Sequence, residues 1–145
     1  MPGDVEPEKP KLRGVLHQVA FFIAVVIAPI LILGAHAGRA RVSAAVFAAS
    51  VVACFGASAL YHRVTWKPRA RLWLRRIDHA GVYFLIAGTY TPVALLVLQG
   101  AWRPVVLSIV WAGAIAATLL KFVWVAAPKW LAAAIGINFF GAVSI

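Results

Sequence analysis

Uncharged stretches occupy residues 14–38, 42–62, 79–102, 104–120 and 130–145, and every Lys, Arg, Asp and Glu falls in the short segments between and before them. The first three runs exceed the roughly 20 residues that cross about 30 Å of hydrocarbon at 1.5 Å per residue. The fourth reaches that length only if Lys121 lies near an interface and extends its ammonium toward water, which lets the helix continue to Val125. A pattern of this kind predicts an all-α integral membrane bundle with five spans.

The predicted helices run over residues 15–33, 42–61, 78–98 and 105–125, with a fifth from Trp130. Pro29 bends the outer end of the first, and residues 34–41 form an outer turn in which His36 faces water. The second helix is rich in Ala, Ser and Gly, the residues that let membrane helices approach closely, so it belongs inside the bundle. In the third, Pro92 clashes with the carbonyl of Gly88. A kink is expected there, with Thr89 and Thr91 hydroxyls satisfying the freed backbone groups. Gly113 and Ala117 form a small-x3-small pair on the fourth. Residues 1–13 hold Pro2, Pro7 and Pro10 with mixed charges and no apolar run, which predicts a disordered cytoplasmic tail ahead of a single transmembrane domain over residues 14–145.

Composition sharpens this picture. The chain is 63% hydrophobic, against about 45 to 50% in globular domains. A net charge of +10 would suit nucleic-acid binding if it formed a basic face. Instead the fourteen Lys and Arg flank the apolar runs. With the N-terminus in the cytoplasm, Lys9, Lys11, Arg13, Arg63, Lys67, Arg69, Arg71, Arg75, Arg76, Lys121 and Lys129 lie inside, leaving Arg39, Arg41 and Arg103 outside. The positive-inside rule therefore predicts a cell-membrane protein with a cytoplasmic N-terminus and no nucleic-acid partner. Residues 63–77 interleave Trp66, Leu72 and Trp73 with six basic residues, a composition suited to the headgroup level and to anionic membrane lipids. The single cysteine, Cys54, excludes an intrachain disulfide and reads as a small packing residue.

Chemistry concentrates between Ser58 and Pro92. Ser58 and His62 are four residues apart and share a helix face, about 6 Å between side-chain roots. Asp78 is the one acidic residue after Glu8 and opens the third run. A short connector returns the chain on the side it left, so Ser58, His62 and Asp78 share one membrane face, with His17 and His79 as neighbours at that level. The bland alternatives are an interfacial His62 and an Asp78 paired with Arg75 or Arg76, or stabilised by a helix N-terminus. A Ser-His-Asp hydrolase triad is disfavoured, since no oxyanion elbow accompanies Ser58.

The stretch SALYH at 58–62, followed by RRIDHAGVYFLIAGTYTP at 75–92, resembles the bacterial haemolysin III family, kin to progestin and adiponectin receptors and, more distantly, to alkaline ceramidases. The resemblance implies a seven-helix architecture and a zinc site that joins the second-helix histidine, here His62, to a His-x3-His pair on the seventh helix. It also implies catalytic roles for Asp78, as acceptor of a water proton, and Ser58, as a hydroxyl donor. A zinc-dependent membrane hydrolase acting on an amide-linked lipid is the leading expectation, the metal lowering the pKa of a bound water. A non-enzymatic pore, channel or membrane-stress protein is the alternative. This sequence ends before any His-x3-His pair, so the expectation is a fragment lacking the last two helices, with an incomplete metal site.

Overall fold

A computed structural model describes residues 14–123, which form four long helices: α1 (Val15–Gly34), α2 (Arg39–Arg63), α3 (Pro68–Pro92) and α4 (Trp102–Val123). A π-helical segment, Val93–Val97, extends α3. All four helices are long and apolar enough to cross a membrane. The chain is a multi-pass helical membrane protein. The expected fifth helix and the N-terminal tail lie outside the described residues.

Each helix packs on its sequence neighbour: α1 on α2, α2 on α3, and α3 on α4, with the π segment touching both α2 and α4. This places α2 and α3 at the centre of the row, as the small-residue content of α2 predicts. Ser43, Ala44, Ala48, Ser50, Cys54, Ser58 and Ala59 are its buried positions, whereas α1 has none. On the other side of α3, Ala87, Ala94, Val110 and Ala114 are completely buried, and Gly113 and Ala117 of α4 also turn inward. Small side chains on both partners let the backbones approach, so dispersion acts over a long contact.

Two sequence expectations need correction. Helix α3 begins at Pro68, ten residues before Asp78, and only residues 64–67 connect it to α2 in non-helical conformation. Pro68 suits a first helical turn because its missing donor has no intrahelical role there. The Arg, Leu and Ala that follow are good helix formers, so the basic stretch extends the helix past its apolar part instead of forming a loop. After Pro92 the helix changes register, a disturbance the sequence did not specify: Leu98 N–H donates to Val93 O at 3.3 Å, five residues back. Nor do the threonines serve the Gly88 carbonyl. Thr89 donates to Leu85 O and Ile86 O, at 2.7 and 2.9 Å, and Thr91 to Ala87 O at 2.8 Å. Thr91 Oγ1 also accepts from Trp111 Nε1 at 3.2 Å, tying α3 to α4.

Candidate functional site

The depth of each candidate residue follows from how α2 and α3 cross. A Cβ on Gly81 would lie 3.1 Å from the Cα of Cys54, and one on Gly88 would overlap the Ser50 side chain. Contacts that descend α2 as they ascend α3 define an antiparallel pair. Leaving the Cys54–Gly81 pass toward the connector, Ser58 lies four residues along α2 and Asp78 three along α3, about 6 and 4.5 Å by helical rise. Ser58 and Asp78 thus sit at nearly one depth on facing helices. His62 is one further turn toward the membrane face.

Ser58 is buried, at 7% exposure, and Asp78 and His62 are half-buried. Asp78 is the sole carboxylate among residues 14–123, and its field reaches both Cys54 across the helix seam and the adjacent His79. Arg75 and Lys121 are the cations that also act on His79. Of the two bland accounts of Asp78, the helix N-terminus does not hold and the arginine pairing narrows to Arg75. Asp78 sits well inside α3, beyond the first turn where a helix dipole stabilises an anion. Arg76 is engaged elsewhere, its guanidinium lying 4.9 Å from the centroid of the Trp73 ring. Cys54 is buried against Gly81, as a packing residue would be.

Tyr61, His17 and Gly14 are among the neighbours that hold His62. Tyr61 meets its ring edge-on at 4.8 Å between centroids, and His17 of α1 stacks on it at 6.2 Å with planes 23° apart. Gly14 closes a further side. Its φ of +82° is a left-handed conformation that glycine adopts without strain, and a Cβ there would fall 2.6 Å from His62 Cβ. Of the two histidines expected at this level, His17 is the one that pairs with His62, a choice between them that spacing did not make. The pairing follows from the tight α1–α2 turn, because two antiparallel helices joined by few residues bring the start of one beside the end of the other. His79 does not join this group. Among the described residues, no three His, Cys, Asp or Glu side chains converge as a metal-binding cluster.

Comparison with known proteins then decides the family. The family model described as haemolysin-III related matches residues 5–145. This chain belongs to that family. The haemolysin III chain is 37% identical over 98 residues to the hemolysin-3 homolog of Bacillus subtilis (strain 168), a match covering 66% of this chain and 46% of the relative. It is 33% identical over 101 residues to hemolysin-3 of Bacillus cereus, with the same coverage of both proteins. The chain thus matches about half the length of these curated relatives. No solved structure matches it significantly.

Zinc in a catalytic site takes about three protein ligands and keeps a position open. His62 would fill one such position, its imidazole packed against Tyr61 and His17. The described residues do not supply the remainder, so they do not by themselves fit the ion.

Proposed function

We propose that this haemolysin III protein is a zinc-dependent membrane hydrolase acting on an amide-linked lipid, with the α2–α3 seam supplying part of its site. The observation that carries the reading is the placement of Asp78 and buried Ser58 at one depth on facing helices, with an oriented His62 one turn away. In this reading His62 is one zinc ligand and the remaining ligands come from elsewhere in the whole protein. Asp78 takes the proton of the attacking water, a general-base role. Ser58 donates its hydroxyl to the carbonyl oxygen as negative charge develops there. Placement at the end of the apolar part of the helices suits a substrate whose amide lies just below the headgroups.

A second reading, a pore, is favoured by the name of the Bacillus cereus relative, hemolysin-3. The two separate cleanly in vesicles that contain a fluorescent N-acyl amide lipid and an entrapped dye. For a chain that supplies the further zinc ligands, release of fatty acid with dye retained is the expected result. Dye leakage without fatty acid release would replace the hydrolase by a pore.

Metal content gives an independent expectation. One histidine, or a stacked pair, is not a stable tetrahedral site, so the 145-residue chain should hold far less than one equivalent of zinc by elemental analysis. In a chain that supplies the further ligands, zinc should be near-stoichiometric and His62→Ala should abolish it. Stoichiometric zinc in the present chain would transfer the ligand role to the His17–His62 pair.

The eleven-to-three distribution of basic residues supports a cytoplasmic N-terminus and a cytoplasmic α2–α3 connector. On a Cys54→Ala background, an impermeant thiol reagent should label Ala37→Cys in intact cells and Lys67→Cys only after permeabilisation. The opposite pattern would invert the topology.

A further inference from the structure

A second cavity, of about 530 Å³, opens where α2 ends and α3 begins. It contains none of Ser58, His62 or Asp78. Its walls include Tyr61, Thr65, Trp66, Arg71, Leu72 and Arg75, and among the described residues no carboxylate. The volume falls in the roughly 300 to 1,000 Å³ range of small-ligand sites.

Three features of this lining select an anionic ligand. Arg71 and Arg75 are four residues apart on α3, which puts their side chains on one helical face, and each guanidinium presents a planar fork of donors suited to phosphate oxygens. Asp78 is the sole acid among residues 14–123 and does not line the cavity, so among the described residues no carboxylate stands beside this pair in the wall. The hydroxyls of Tyr61 and Thr65 add further hydrogen-bonding groups, while the half-buried Trp66 ring is fixed by donation from Nε1 to Leu60 O at 3.0 Å. Trp66 and Leu72 give the same cavity an apolar wall. Arg76 makes the contrast, since it turns onto Trp73 and takes no part in the lining.

We propose that this cavity binds a phosphate group, presented by an anionic phospholipid headgroup or as the free anion. Two guanidinium forks meet the phosphate oxygens, and the Trp66 and Leu72 wall accommodates the glycerol and first methylenes when the source is a lipid. The site stands apart from the hydrolase reading and does not depend on it. It differs from the general attraction of a basic segment for an acidic membrane because two of the basic residues of α3 line the cavity and their neighbours Lys67 and Arg69 do not.

Native mass spectrometry of the full chain in neutral detergent tests this without a charged bilayer surface. Added phosphatidylglycerol should give a discrete adduct and phosphatidylcholine a much weaker one. The double variant Arg71→Gln/Arg75→Gln should bind phosphatidylglycerol about thirty-fold more weakly, the loss expected for two guanidiniums that act at the headgroup level. Lys67→Gln/Arg69→Gln removes the same charge outside the cavity and should leave the adduct intact, with unchanged helicity in both variants. Survival of the adduct in millimolar inorganic phosphate identifies the lipid as the source. Displacement by phosphate identifies the free anion as a ligand of the same site. Equal losses in the two double variants, or equal binding of both lipids by the unaltered chain, would overturn the proposal.

Discussion

In a chain that supplies the further zinc ligands, Asp78→Asn is expected to lower hydrolysis of an N-acyl amide lipid by about 10²- to 10⁴-fold, the range that a positioned general base contributes. Asparagine keeps the size and hydrogen-bonding shape of the side chain but is a far poorer proton acceptor, so the loss should appear in turnover and not in folding. Replacing a half-buried carboxylate in an apolar helix by a neutral amide removes a charge that is costly to hold near hydrocarbon, so stability should hold or rise. Metal content should also hold, because in the proposed scheme His62, not Asp78, is the ligand. That combination separates a proton acceptor from a structural acid or a metal ligand. Turnover of the Asn variant within about twofold of the parent would remove Asp78 from the mechanism, since no general base is lost so cheaply. Zinc falling together with turnover would instead make Asp78 a ligand.

The helices of this chain were legible because membranes impose one strong rule: backbone groups in hydrocarbon must be satisfied within the segment, so an uncharged run of sufficient length is a helix. That rule reads the apolar part of a helix and is silent about how far the helix continues into water. Residues 68–77 show the consequence. Their charge suggested a connector, yet Pro68 followed by Arg, Ala and Leu satisfies the local requirements of a helix, and α3 starts there. Pro92 was legible as a disturbance but not as the π segment that follows, because a missing donor does not dictate how the next turn pairs its backbone groups. At the site, the Ser58 to His62 spacing is local and could be read directly. The depth of Asp78 relative to Ser58 could not. It depends on the interhelical register, which the Cys54–Gly81 pass fixes through atoms that no local pattern encodes.

That pass also bears the second large effect. Gly81→Leu is expected to destabilise the α2–α3 pair by about 3 kcal/mol, the upper part of the range for overpacking a close contact. The atom met at 3.1 Å is the Cα of Cys54, a backbone atom that cannot rotate away, so the helices must separate or shift axially. Gly56 offers the informative comparison. A Cβ there would meet the edge of the Phe21 ring at 2.9 Å, closer by distance, yet the ring is the end of a side chain that can swing toward lipid. Gly56→Ala should therefore cost less than Gly81→Leu despite the shorter contact. Truncating the opposing side chain discriminates further: Cys54→Gly should not rescue Gly81→Leu, because the obstructing atom remains. Denaturant titration of helicity in mixed micelles would measure these differences. Because separation at Gly81 also draws Asp78 from Ser58, turnover by the fraction that still folds should fall as well, whereas Gly56→Ala should leave it near the parental rate. Full rescue by Cys54→Gly, or a Gly81→Leu protein as stable as the parent, would show that the seam yields and that the close pass does not set the depth of the site.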